Sequence, residues 1–121
     1  MTLDDKWPMH VQSRNWWSSG LTRGARMKRA RMAKHERREA HVRTLALLNR
    51  RRPTVPLVVT LIRVAPRKLD DDNVSGGCKH IRDGIADALG IDDGSEGLSW
   101  VYGQAKGKAK EYGLIVKIDA P

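Results

Sequence analysis

Phenylalanine is absent from this chain of 121 residues, and only four Trp and two Tyr stand in its place. A core with so few aromatics must be closed by aliphatic side chains. A single cysteine, Cys78, excludes an internal disulfide and a cysteine-built zinc site, and it suits a reducing compartment. Long apolar runs are missing as well. The longest, around Pro56–Ile62, is far short of the roughly 20 residues of a membrane-spanning helix. The opening MTLDDKWPMH begins acidic and carries no apolar segment, so a secretory signal is not expected. These absences predict a soluble cytoplasmic protein with no membrane partner. The four histidines, His10, His35, His41 and His80, have no ligand spacing beside acids, which argues against zinc.

Acidic residues are scarce where basic ones abound. Residues 1–68 carry 17 Lys and Arg against 4 Asp and Glu, a net of +13, whereas residues 69–121 carry 6 against 10, a net of −4. A basic half predicts attraction to a polyanion, with nucleic acid ahead of an anionic membrane surface. Within the acidic half lies LDDDNVSGGCKHIRDGIADALGIDDGS, residues 69–95, an acidic island in a chain of net charge +9.

A single domain spanning residues 1–121 is expected. Residues 1–22 read as an irregular segment with an edge strand near Trp7–Val11, followed by a polar, turn-rich Ser13–Gly20. Trp16 and Trp17, if on a strand, would place one ring in the core and one outside; stacking on an unpaired base is the alternative. Residues 23–52 predict a basic helix with Thr22 as N-cap and Arg50–Arg52 near its C-terminal dipole. Residues 57–119 predict the sheet and a second helix. Leu57–Val64 reads as an interior strand. Asp72 or Asn73 would cap a helix to about Leu89 whose apolar stripe is Val74, Cys78, Ile81, Ile85 and Leu89. Gly76 and Gly77, each costing about 1 kcal/mol in a helix interior, imply close approach of another backbone or of DNA. Gly90 suits the C-cap. Leu98–Gln104 and Tyr112–Ile118 alternate as strands around a basic hairpin tip at Lys106–Lys108. The expected fold is α+β: a small mixed sheet of three to four strands covered by two main helices.

The acids carry the chemistry. Hydrolysis of a phosphodiester by metal ions needs carboxylates converging from separate parts of the chain. Asp70 and Asp72, two apart in an extended loop, would point to one side, and Asp92 or Asp93 would join them across the helix. Asp83 and Asp87 are expected on a solvated helix face. Capping explains one aspartate, not three in a row. Val74 and Ser75 stand where an EF-hand loop requires an oxygen ligand and a glycine turn, which excludes that motif.

Leu69-Asp70-Asp71-Asp72-Asn73, then Lys79, then Arg82 through Asp93 together resemble the RusA-like Holliday-junction resolvases. Ser13–Asn15 and the basic helix resemble them more weakly. The resemblance implies a homodimer that binds four-way DNA junctions and nicks two strands symmetrically in recombination or repair. It implies Mg²⁺ as cofactor, Mn²⁺ as its alternative, and no small-molecule cofactor. The implied metal ligands are Asp70, Asp72 and Asp93, with Asp92 as substitute for Asp93. Lys79 is the implied catalytic lysine, although it stands six residues past Asn73 where the family's lysine stands three past, here Gly76. Arg14, Asn15, Arg23, Arg26, Arg29, Arg37, Arg67 and Lys68 are the candidate DNA contacts. The alternatives are a non-catalytic basic DNA-binding protein and a nuclease of other branched DNA.

Overall fold

The computed structural model describes residues 1–19 and 22–120; Gly20, at the end of the turn-rich stretch, lies outside them. Its elements are β1 (Thr2–Trp7), α1 (Arg14–Ser18), α2 (Arg23–Leu48), β2 (Leu57–Ala65), α3 (Asp71–Gly77), α4 (Lys79–Leu89), β3 (Leu98–Lys106) and β4 (Gly113–Asp119). The strands make one mixed sheet in the order β1-β4-β2-β3, and the α+β expectation holds. β2 is interior, as its apolar character on both faces requires, with β3 parallel on one side and β4 antiparallel on the other. Leu57, Val59 and Leu61 of β2 and Leu114, Val116 and Ile118 of β4 share one buried core with Ala40 and Leu48 of α2 and Ile81 and Ile85 of α4.

The expected β3–β4 hairpin does not form. After β3 the chain crosses the end of β2, where the Gly107 amide donates to the Ala65 carbonyl at 2.9 Å, and β4 enters between β2 and β1. The reason lies in burial. Leu114, Val116 and Ile118 are fully buried, whereas Ser99, Val101 and Ala105 of β3 are exposed, so the more apolar strand takes the interior. The edge strand also differs: β1 ends at Trp7, before Pro8, instead of running through it from Trp7 to Val11, and pairs Thr2–Trp7 with Asp119–Leu114.

Thr22 caps α2, its Oγ1 accepting from the Ala25 amide at 3.1 Å. The helix stops at Leu48, because Asn49 turns left-handed at φ 47°. Arg50–Arg52 therefore lie beyond the helix, and its last turn holds no basic residue. The single helix expected from Asn73 to Leu89 is two, α3 and α4, broken at Cys78. Gly76 and Gly77 are explained by protein contact: a Cβ at Gly76 would strike the Arg14 side chain, and one at Gly77 the Gln12 carbonyl. The stripe of Val74, Cys78, Ile81 and Ile85 is buried as expected, and Gly90 caps α4 at φ 69°. Among the described residues, no helix is long and apolar enough to cross a membrane.

One acid on α2 is placed unfavourably. Glu36 Oε1 is buried with no hydrogen-bond partner among the described residues. Burial, and then the nearby Glu39, push its carboxyl from 4.5 up to about 7. The folded state thus holds this proton more tightly than the unfolded chain, and the stability it contributes is lost as pH rises from about 4.5 through 7. Glu36→Gln should gain about 1–2 kcal/mol at pH 8 and almost nothing at pH 5. Urea unfolding at the two pH values checks this.

Candidate active site

The acidic island begins as a helix start. Asp70 is the N-cap of α3, and its carbonyl accepts from the Asn73 and Val74 amides at 3.0 and 3.1 Å. Its carboxylate makes no capping bond and is exposed. Asp71 and Asp72 occupy the first turn, where the positive end of the helix dipole favours acids. The cap is thus Asp70, not Asp72 or Asn73. Only Asp70 is extended, so the strand-like alignment expected of Asp70 and Asp72 gives way to the roughly 100° rotation per residue of a helix. The Asn73 side-chain oxygen accepts from the Asn15 amide at 3.1 Å and ties α1 to α3.

Alternate side chains of β3 hold the parts of the island. Gln104 clamps Leu69 from both sides, accepting from its amide at 2.8 Å and donating to its carbonyl at 2.7 Å. The Tyr102 hydroxyl accepts from Arg82 at 2.8 Å, and the same guanidinium nitrogen donates to the Ser75 carbonyl at 2.7 Å. Trp100 Nε1 donates to the Asp93 carbonyl at 3.1 Å. Trp100 and Gln104 are four residues apart on the strand, about 13 Å. The Asp70–Asp72 turn and the Asp92–Asp93 turn are therefore anchored at opposite ends of this row, with Tyr102 between them. Tyr102, Lys68 and Gln104 line a cavity of about 550 Å³ together with Asp71 and Asp72. Burial raises the Tyr102 phenol pKa, and Asp93 adds to that rise while Arg82 opposes it.

Asp93 is half-buried, and its pKa is raised first by burial, then by the neighbouring carboxyls of Asp92 and Asp83. Asp83, expected to be solvated, is instead half-buried beside this pair. The i+3 and i+4 arithmetic of one helix could not show that a later turn folds back onto it. Asp87 is on the outside as expected but is bound by Arg37 at 2.7 and 3.0 Å. The oxygen donors of Asp70, Asp72, Asp92 and Asp93 suit a hard cation such as Mg²⁺. Among the described residues, no three His, Cys, Asp or Glu side chains are grouped to hold one ion.

The candidate DNA contacts divide in two. Arg23, Arg26, Arg67 and Lys68 are exposed. Arg14 is exposed as well, with the aliphatic part of its side chain lying on Gly76. The Arg29 guanidinium lies 4.4 Å from the centre of the Trp16 ring, and its Nε donates to the Trp16 carbonyl at 2.8 Å. Arg37 is engaged with Asp87, and the side chain of Asn15 is exposed. Lys79 is exposed at the first position of α4. Trp16 and Trp17 stand on helix α1 instead of a strand; both are half-buried, edge to face at 5.0 Å, so neither is the core residue expected of one of them. Trp17 in turn meets the edge of His80 at 4.6 Å.

Trp100, Tyr102 and Gln104 are residues of the candidate site that motif reading passes over, and Arg82 stands within the motif but without the role that its bonds to Tyr102 and Ser75 give it. The alternation of polar-tipped side chains on β3 is the signal that points to the three strand residues. Arg63, a cation inside the apolar run LVVTLIRV, is another. Neither the scan against protein-family models nor the search of curated proteins returns a match to this chain.

Proposed function

We propose that this chain is a Mg²⁺-dependent endodeoxyribonuclease of branched DNA, acting on four-way junctions as a cytoplasmic homodimer. The observation that carries the reading is the Asp70–Asp72 turn. Its Asp70 carboxylate is not used for capping, and the turn is clamped by Gln104 beside a cavity large enough for a ligand. Rigid support from a strand is what a preorganised site requires. The resemblance of residues 69–93 to the RusA-like resolvases supplies the substrate class.

Asp70 and Asp72 would hold the metal; Asp93 or Asp92, in the turn that Trp100 anchors about 13 Å along the strand, would join them only if that turn closes on the bound cation. When bound, such a cation supplies Lewis acidity toward a phosphoryl oxygen and lowers the pKa of water. The chain's own residues do the rest. Arg23, Arg26, Arg67 and Lys68 neutralise backbone phosphates and position the arms without reading bases. Lys79 adds a cation on the side of α4 that faces solvent. A twofold dimer presents two equivalent sites to two symmetry-related strands.

A gel with end-labelled four-way junction, fork and linear duplex, each with and without Mg²⁺, tests this. Paired nicks in the junction, dependent on Mg²⁺ and absent from duplex, are expected. Retardation of the junction without cutting, in either Mg²⁺ or Mn²⁺, would make the protein a non-catalytic binder. Preferential cutting of the fork would move the substrate to other branched DNA.

A further inference from the structure

Arg63 sits on interior strand β2 and is only 7% exposed. A guanidinium does not lose its proton in proteins, so a full positive charge is held in the fold. Its Nε donates to the Val11 carbonyl at 3.0 Å and its Nη1 to the Arg67 carbonyl at 2.8 Å. Nη2 makes no hydrogen bond, and no carboxylate pairs with the side chain, among the described residues. Burying a cation without a counter-anion costs several kcal/mol. Two neutral carbonyls offset this only in part.

Arg63 also lines a cavity of about 420 Å³ at the ends of the parallel strands β2 and β3. The other charged groups lining it are Arg67, Lys68 and Lys106, and among the described residues no acid lines it. The volume is within the range of small-ligand pockets, roughly 300–1,000 Å³. Gln104 is the register partner of Arg63 and lies in the wall of this cavity. Gln104 and Lys68 are shared with the acidic cavity that holds Asp71 and Asp72. A cationic pocket and an acidic one thus adjoin across two side chains.

We propose that the pocket of Arg63, Arg67, Lys68 and Lys106 binds a phosphate group of a nucleic-acid strand, placing the neighbouring nucleotide at the Asp70–Asp72 turn. This deepens the nuclease reading and rests on it for the identity of the strand. The chemistry supports a phosphate over a carboxylate metabolite because the wall offers several cations and, among the described residues, no apolar cleft beyond Ala65, Pro66 and Ala105 for an organic body. A guanidinium fork with a spare Nη2 is suited to a tetrahedral oxyanion. Two phosphates meet this description, a terminal monoester and an internal diester.

Calorimetric titration of the full chain tests the pocket, with inorganic phosphate and with short single strands that are 5′-phosphorylated or 5′-hydroxyl. Inorganic phosphate should bind saturably, and Lys106→Gln, at an exposed position, should weaken it about tenfold. Arg67→Gln should act alike. Lys117→Gln, on the strand β4 away from the pocket, should leave it unchanged. These three variants leave Arg63 in place, so folding is not at issue. If phosphorylated strands bind at least about tenfold tighter than hydroxyl strands, and Lys106→Gln removes the difference, the pocket holds a terminal phosphate. Equal affinities that both fall with Lys106→Gln identify an internal diester. Phosphate that fails to saturate, or that binds Lys106→Gln as it binds the unaltered chain, overturns the proposal. Lys106-dependent phosphate binding by a chain that cuts no branched DNA would sink the nuclease reading and leave the pocket; cutting with Lys106-independent phosphate binding would do the reverse.

Discussion

In Mg²⁺, Asp70→Asn should nick a four-way junction at least about a hundredfold more slowly than the unaltered chain, because it removes the negative charge of the oxygen proposed to hold the metal. The substitution is unusually clean. Asparagine is as good an N-cap as aspartate, and the Asp70 side chain makes no capping bond that could be lost. The carboxylate is also exposed, so stability should move by no more than about 0.5 kcal/mol. Activity and stability are thereby separated. Asp93→Asn should show a comparable rate loss. It should not destabilise the fold, since Trp100 binds the Asp93 carbonyl and not its carboxyl, and since the neighbouring Asp83 and Asp92 repel the charge that is removed. Single-turnover nicking of end-labelled junction, with thermal melts of each variant, provides both readouts. If both variants cut at the unaltered rate, the acids are helix-start and turn residues only. Junction binding without metal should survive in both and tighten slightly as repulsion toward phosphate falls.

Gly84→Ala should cost about 3 kcal/mol of stability, toward the upper end of overpacking losses. Gly84 is buried on α4 where that helix crosses α2, and a Cβ there would strike the Arg37 carbonyl and come within 2.8 Å of the Ala40 Cβ. Neither is the flexible tip of a long side chain. Relief requires the two helices to separate, which loosens the packing of Ala40, Ile81 and Ile85 in the shared core. The gain of roughly 1 kcal/mol in helix propensity from glycine to alanine is too small to offset this. Gly24→Ala supplies the contrast: nothing lies within 4 Å of a Cβ at that position on α2, so the same substitution should stabilise by about 0.5 kcal/mol. Urea unfolding of both variants measures the difference. Equal midpoints would mean that α2 and α4 do not approach as closely as their backbones indicate.

What the sequence revealed depended on whether the cause was local. The β2 strand, the Thr22 cap, the Gly90 stop and the stripe from Val74 through Ile85 follow from side-chain period and cap chemistry within a few residues, and all are present. The β3–β4 relation did not follow, because two adjacent alternating segments say nothing about whether a third strand will come between them. Burial across the whole sheet decides that, and Leu114, Val116 and Ile118 win the interior. The need for glycine at 76 and 77 was likewise non-local, because Gln12 and Arg14, more than 60 residues earlier, press against them.

At the site, the Asp70–Asp72 turn was legible as a cluster, but its shape was not, since capping by Asp70 draws Asp71 and Asp72 into a helix. Asp83 was misjudged because its partner Asp93 arrives from beyond the helix end. Arg29 and Arg37 are engaged by Trp16 and Asp87 in the folded chain, which composition cannot anticipate. Charge counts give the sign of a partner, not which cations are free to meet it.

The placement of β4 has a consequence for how the molecule assembles. Among the described residues, residues 2–7 have no strand neighbour except residues 114–119, so β1 waits for β4 before it acquires a hydrogen-bonded partner. During synthesis, β1 must remain unpaired through the emergence of α1 to α4 and of the strands β2 and β3. Contacts of such sequence separation are slow to form, because closing the intervening chain comes before the reward. The β2–α3–α4–β3 unit, which carries the acidic turn and its clamps, closes a much shorter loop and can precede the rest. The acidic centre would then be the early-folding part of the molecule, with the pairing of β1 and β4 sealing the sheet as the final step.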